Sequence, residues 1–262
     1  MKKENMSEGN SIQSVERAMQ ILELLCMANE PLSVIEISQK VGVNRTTVYG
    51  ILNTFVKMNY AERGKARGKF VDSYKVFMLG SAYQRKLALP RQAAVYLNNL
   101  FYKYQNASVR LAMKYGPGAY VIVDAKEAGR SAIIRAGEII PLHAAAMGKA
   151  ILAFQPEEEI ELFLSGGPLC RYTSTTLTAP EQLREELAKT RTRGYATDDG
   201  EYLDNTFCMA FPVRNSSGQV FAAMSVSSNK NNIVDNLSEL ILDGLENSKA
   251  LSKELGWRVT PG

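Results

Sequence analysis

Residues 31–49 read Pro31-Leu-Ser-Val-Ile-Glu-Ile-Ser-Gln-Lys-Val-Gly-Val-Asn-Arg-Thr-Thr-Val-Tyr49, and this stretch decides the fold of the first third of the chain. Ser33 and Glu36 stand in the S-x-x-E spacing of a capping box, in which hydroxyl and carboxylate each satisfy a backbone donor, so a short helix opens there and runs to about Lys40. Val41-Gly42-Val43 makes a tight turn, where Gly42 takes positive φ without a Cβ penalty. Asn44 is a good N-cap for the next helix, Arg45 to Met58, with Val48, Ile51, Leu52 and Phe55 on its inward face. Helix, short glycine turn and helix make a helix-turn-helix unit. Its second helix leaves Arg45, Thr46, Thr47 and Tyr49 on the outer face near its N-terminus, where such helices meet base edges in a major groove and where free amides favour phosphate oxygens.

Upstream, Val15, Met19, Leu22 and Cys26, flanked by Ala18, Ile21 and Leu25, recur at helical steps and predict an amphipathic first helix that ends by Pro31. Downstream, Tyr60 to Arg63, a basic tip from Gly64 to Gly68, and Lys69-Phe70-Val71 form a hairpin, a wing able to lie along a phosphate backbone. Residues 11–74 are therefore expected to be a winged helix-turn-helix domain binding double-stranded operator DNA. Its candidate contacts are Ser33, Asn44, Arg45, Thr46, Thr47, Tyr49, Lys65, Arg67 and Lys69.

Charge supports this division. The 262-residue chain carries a net charge of +4, but residues 1–90 hold 13 Lys and Arg against 8 Asp and Glu, while the remainder holds 18 against 19. Between residues 40 and 70 stand Lys40, Arg45, Lys57, Arg63, Lys65, Arg67 and Lys69 against Glu62 alone. A count alone leaves a merely solvated basic face open; the helical pattern beneath it favours a polyanion partner.

The three cysteines, Cys26, Cys170 and Cys208, are widely spaced and give neither a disulfide framework nor a metal knuckle. The single histidine, His143, excludes HExxH and paired-histidine metal sites, and no cofactor or metal is expected. No stretch approaches the roughly 20 apolar residues of a membrane span, and the first dozen residues lack the apolar segment of a secretory signal, so a soluble, cytoplasmic chain without membrane contact is expected.

Residues 75–90 read as a connecting helix closed by Pro90, with Tyr74, Val76, Phe77, Leu79 and Tyr83 as candidates for a dimer seam. Residues 91–257 mix helices with hairpin-linked strands rather than regular βαβ units, which predicts an α+β domain on an antiparallel sheet. Its strands are Val109–Tyr115, Ala119–Val123, Tyr195–Thr197, Phe207–Val213 and Val220–Ser227, with a final helix from about Ile233 to Leu255. Ser225 and Ser227 lie two apart on a strand and project to one face, with Met224 and Val226 on the other. The run Ala144 to Gly148 is a helix entrance of small residues whose amides can face a carboxylate. The serines can also serve the sheet alone, Cys208 can be a buried small hydrophobe, and His143 can be a structural residue fixing that entrance.

Taken together these segments resemble the IclR family of bacterial transcription regulators. The resemblance rests on Ser14-Val-Glu-Arg-Ala-Met-Gln-Ile-Leu-Glu-Leu-Leu25, Pro31-Leu-Ser33 leading into Glu36-Ile37, and Val43-Asn-Arg-Thr-Thr-Val-Tyr49. It continues in Leu142-His-Ala-Ala-Ala-Met-Gly-Lys-Ala-Ile-Leu-Ala153, Arg171-Tyr-Thr173, Arg193-Gly-Tyr-Ala-Thr-Asp-Asp199 and Ala222-Ala-Met-Ser-Val-Ser227. The family implies a GAF-like effector-binding domain and, carried over by position, effector contacts at Ala146, Met147, Asp198, Cys208, Ser225 and Ser227. It also implies a homodimer or dimer of dimers. Departures stand at Gly50 in the recognition helix, at Asp72 in the wing's return strand, and at Phe207, where an Arg is commoner and either a resized pocket or the loss of a cation is expected.

The expected function is a ligand-responsive regulator of a catabolic or metabolic operon, sensing a small carboxylate or a hydroxylated or aromatic metabolite, and not an enzyme. Two alternatives compete with it. One is a cysteine-dependent acyl-transfer enzyme with Cys208 as nucleophile, His143 as base and Asp198 as orienter. The other is a DNA-binding repressor that needs no ligand.

Overall fold

The computed structural model describes residues 11–86, 88–125, 136–230 and 236–258. It divides into two compact units, Met1–Leu87 and Ala88–Gly262.

In the first unit, helix α1 (Gln13–Met27) precedes a two-residue strand β1 (Leu32–Ser33), then α2 (Val34–Val41) and α3 (Arg45–Lys57), strands β2 (Ala61–Arg63) and β3 (Lys69–Asp72), and α4 (Tyr74–Lys86). The capping box forms as the sequence dictates, with Ser33 Oγ accepting from the Glu36 amide at 3.3 Å and the Glu36 carboxylate accepting from the Ser33 amide at 2.6 Å. Gly42 takes φ 67° between α2 and α3. Asn44 Oδ1 accepts from the Thr47 amide at 2.9 Å and caps α3. At the other end of α3, Asn59 adopts the left-handed conformation and Tyr60 N–H returns to Phe55 O at 2.8 Å, which turns the chain into the wing. The antiparallel sheet runs β1-β3-β2, with Phe70 paired to Leu32 on one side and Arg63 on the other. Ile21, Leu25, Ile37, Val48, Leu52, Phe55 and Phe70 make one buried core.

The inward face of α1 is narrower than the periodicity suggested. Ile21 and Leu25 are buried, whereas Val15 and Met19, placed on the core stripe by their spacing, are exposed together with Ile12. On α4, Tyr74, Phe77, Leu79 and Tyr83 are likewise all exposed.

The second unit contains α5 (Ala88–Lys103), β4 (Ser108–Tyr115), β5 (Gly118–Ala125), β6 (Ile139–Pro141), α6 (Ala146–Leu152), α7 (Glu157–Ser165), α8 (Pro180–Arg193), β7 (Ala196–Asp199), β8 (Phe207–Arg214), β9 (Val220–Ser228) and α9 (Leu237–Glu254). Pro90 does not close a helix. It lies in the first turn of α5, where a missing N–H costs no intrahelical bond. The expected last helix begins at Leu237; residues 233–235 of that expectation lie outside the described residues.

The six-stranded sheet is antiparallel throughout, in the order β6-β5-β4-β9-β8-β7, and the chain is thus a winged helix-turn-helix unit followed by an α+β unit. One sheet face packs on α5 and α9 through Leu97, Leu111, Met209, Phe211, Met224 and Val226. The other receives α6, which approaches closely because Ala112, Ala196, Ala210 and Ala223 supply minimal side chains. Gly148 marks the tightest point on α6. A Cβ there would stand 2.3 Å from Pro141 O and 2.6 Å from Leu142 Cα.

Candidate functional site

On the first unit, Arg45, Thr46 and Tyr49 are exposed at the N-terminal end of α3, and Thr47 beside them is half-buried, its amide engaged by Asn44. Lys65 and Arg67 are exposed at the hairpin tip. Ser33 and Asn44 spend a side-chain oxygen each on helix caps. Lys69 is tied to Glu36 at 2.7 Å, and this ammonium, with the bonds from Ser33, holds the Glu36 carboxyl down at about 2. Lys69 therefore anchors the wing to α2.

Sequence reasoning passed over Arg63. Its Nη2 donates to Asn53 Oδ1 at 3.2 Å, and its guanidinium lies beside the Tyr49 hydroxyl, lowering that group's pKa. Arg63 thus carries a positive charge from the wing onto the outer face of α3. Its place in the basic stretch between residues 40 and 70 was the available signal. Gly50 is exposed, with no atom within 4 Å of where a Cβ would stand. Asp72, opposite Ala61, is exposed.

On the second unit, strand register gathers residues that are far apart in sequence. Asp198, Cys208, Ser227 and Ser108 are successive cross-strand partners, and the neighbouring row runs Ala196, Ala210, Ser225, Arg110, Asp124. Both rows occupy the sheet face that receives α6, whose first two residues, Ala146 and Met147, are buried against it. Four of the six expected effector positions, Asp198, Cys208, Ser225 and Ser227, thus share the sheet face that receives α6, and the other two, Ala146 and Met147, open that helix within the same packed cluster.

The electrostatics of this face are those of a buried polar site. Lys149, on α6, is fully buried and places Nζ 2.5 and 2.6 Å from the two carboxylate oxygens of Glu201. Asp198 Oδ1 accepts from the amides of Glu201 at 2.6 Å and Tyr202 at 3.3 Å. Burial nevertheless raises the Asp198 carboxyl to about 7, against the pull of Lys149 and those amides. Burial likewise pushes the Cys208 thiol up to about 12, with Asp198 adding to the rise.

Burial that raises the thiol in this way disfavours its thiolate form, so the setting does not favour Cys208 as a nucleophile. His143 does not serve it as a base in this arrangement either: Nε2 lies 2.9 Å from Cys170 O, which fixes the ring at the entrance to α6. Phe207 also departs from expectation. It faces the α5 and α9 layer with Met209 and Phe211, so its size does not shape the Cys208 face.

Two further residues were missed. The side chains of Arg110 and Asp124 are both buried, with Arg110 Nε 3.1 Å from Asp124 Oδ1 and Arg110 Nη1 donating to Ser227 Oγ at 2.8 Å. A charged residue at an inward position of the otherwise apolar run Val109 to Met113 was the available signal. Among the described residues no group of three or more His, Cys, Asp or Glu is arranged to hold a metal ion, and no helix is long and apolar enough to cross a membrane.

Comparison with known proteins gives a consistent picture. Residues 14–64 match the IclR helix-turn-helix domain, and residues 81–248 match the bacterial transcriptional regulator IclR C-terminal domain. The chain is 30% identical over 247 residues to the HTH-type transcriptional regulator XynR of Escherichia coli K12, covering 94% of this chain and 98% of the relative. Among solved structures it resembles the IclR protein of Thermotoga maritima, with a TM-score of 0.71 and 27% identity, covering 94% of this chain and all of the other. An IclR homologue of Microbacterium hydrocarbonoxydans solved in complex with 4-hydroxybenzoate shares the fold, with a TM-score of 0.76 at 23% identity over 92% of this chain and 98% of its own.

Proposed function

Because the chain belongs to the IclR family of bacterial transcriptional regulators and is a ligand-responsive regulator of a metabolic operon, we propose how its two units divide that work. Residues 11–74 bind operator DNA, with Arg45, Thr46, Thr47 and Tyr49 in the major groove and Lys65, Arg67 and Arg63 along the phosphates. Ser33 and Asn44 support this surface from the helix caps, and Lys69 sets the wing. Residues 75–90 connect, and residues 91–257 hold a small organic acid or related metabolite against the Asp198, Cys208, Ser225 and Ser227 face, with the Ala146 and Met147 amides closing the site. No cofactor takes part, and the metabolite is bound without being transformed.

The observation that carries this reading is the buried polar face itself. Arg110, Asp198, Ser225 and Ser227 on the sheet, and Lys149 on the helix packed against it, are costly to bury among alanines without a purpose. The relatives are transcriptional regulators, and a solved homologue holds a small hydroxylated aromatic acid. The exposed apolar side chains of α4, Tyr74, Phe77, Leu79 and Tyr83, fit a second copy of the chain, giving a homodimer or dimer of dimers on a pseudo-palindromic site in the cytoplasm. The ligand acts to the extent that it binds the DNA-competent and incompetent arrangements differently.

The double variant Ser225→Ala, Ser227→Ala tests the division. Release from selected DNA fragments by cell-extract metabolites is lost in the variant while DNA affinity is kept. A normal response in the variant removes this face from the function.

A further inference from the structure

The buried polar atoms that lack a hydrogen-bond partner are not scattered evenly. Of the five found among the described residues, three, Arg110 Nε, Asp124 Oδ1 and Ser225 Oγ, belong to adjacent cross-strand partners in one row. Ser225 is fully buried, and its near neighbour, the Cys208 thiol, is a weak partner.

An ion pair kept for stability needs good geometry and filled remaining valences, since desolvation otherwise outweighs attraction. Here Arg110 and Asp124 approach to 3.1 Å without an aligned hydrogen bond. Arg110 commits one bond, from Nη1 to Ser227 Oγ at 2.8 Å. A guanidinium has five N–H donors in a planar fork suited to a carboxylate. Three charged groups, Asp198, Arg110 and Lys149, also act on the Cys208 thiol, so the charges converge on one place. Lys149 gives its ammonium to both oxygens of Glu201, whereas Arg110, though paired with Asp124 through Nε, still offers a guanidinium fork to an incoming anion.

We propose that Arg110 determines effector specificity by binding a carboxylate, and that the effector is a hydroxylated carboxylate whose hydroxyl hydrogens go to Asp124 and Asp198. This rests on the reading of this sheet face as the effector site. A plain carboxylate leaves the Asp124 oxygen without a donor, and a neutral polyol leaves the guanidinium fork unused. A hydroxy acid completes both, with Ser225 able to donate or accept.

The test is calorimetric titration of the full chain with three matched series: glycolate, lactate and gluconate; acetate and propionate; and ethylene glycol, 1,2-propanediol and sorbitol. The hydroxycarboxylates bind, and their plain and neutral counterparts bind more weakly. Arg110→Gln weakens hydroxycarboxylate binding about 10- to 100-fold, the range of a charge-assisted bond. Because Arg110→Gln leaves Asp124 without its counter-ion, the double variant Arg110→Gln, Asp124→Asn is measured beside it; it removes both charges, and loses binding as well. Equal affinity in wild type and both variants overturns the role of Arg110. Preference for the neutral or plain series, or no binding by any hydroxycarboxylate, overturns the ligand class. If Ser225→Ala, Ser227→Ala loses binding while the Arg110 variants do not, only this proposal fails. If the serine variant also binds normally, the site itself lies elsewhere.

Discussion

The two units hold their positive charge in opposite ways. In the first, Arg45, Arg63, Lys65 and Arg67 stand exposed on a local scaffold of caps and turns. In the second, Arg110 is buried on a sheet face assembled from strands far apart in sequence, and Lys149 on the helix packed against it. Exposed cations cost little to keep, are screened by salt, and suit a long polyanion. Buried cations are costly to desolvate, are tied to specific partners, and suit a small ligand that completes their hydrogen bonds. Chemistry of both kinds on one chain is what a DNA-binding sensor requires.

The sharpest contrast comes from removing one cation on each side. Lys149→Met leaves the Glu201 carboxylate unpaired in a mostly buried setting and is expected to destabilise the second unit by about 3–5 kcal/mol, measured by urea unfolding followed through a probe in that unit. Lys149→Met with Glu201→Gln recovers most of the loss, and failure to recover would show that the pair matters for something other than its charge. Arg45→Ala is expected to leave the melting temperature unchanged while weakening DNA binding, a loss of about 1–3 kcal/mol if it reads a base.

Two glycines extend the comparison to packing. Gly148→Ala would press a methyl into the Pro141 and Leu142 backbone and is expected to cost about 1–3 kcal/mol, read as a lower melting temperature. Gly50→Ala meets open space on α3 and is expected to add up to about 1 kcal/mol of stability. Equal effects would mean that the two helices are packed alike.

Titration separates the units as well. The Asp198 carboxyl is raised from 3.8 to about 7 in the folded chain, chiefly by burial. Folding therefore takes up a proton between those values, so this group's contribution to stability falls as pH rises through that window and is level above it. Unfolding measured at a series of pH values is expected to show this slope in wild type and to lose it in Asp198→Asn.

What could be read in the sequence follows the same division. The helix-turn-helix was legible because Ser33, Glu36, Gly42 and Asn44 act within a few residues of where they stand, and each acts as its spacing requires. The misreading of α1 arose because Ile12, Val15 and Met19 put apolar side chains on a second, outward face, which periodicity cannot tell from the core. Pro90 was ambiguous because a proline fits a helix's first turn as well as the stretch beyond its end. In the sheet, alternation placed Ser225 and Ser227 on one face, while Asp198 and Cys208 were reached through resemblance. Arg110 stood out in its apolar run, but its meeting with Asp124 was not legible, since that depends on how β4 pairs with β5 and β9, including a register shift at Leu111 and Ala112.

The most direct test of the whole account is the salt dependence of DNA affinity for wild type, for Arg45→Ala, Lys65→Ala, Arg67→Ala combined, and for Arg110→Gln. Each exposed cation lost from a phosphate contact is expected to reduce the slope of log affinity against log salt by about 0.9, while loss of the buried Arg110 leaves it unchanged. An unchanged slope in the triple variant, or a reduced one in Arg110→Gln, would contradict the separation of an exposed DNA-reading surface from a buried ligand-reading face.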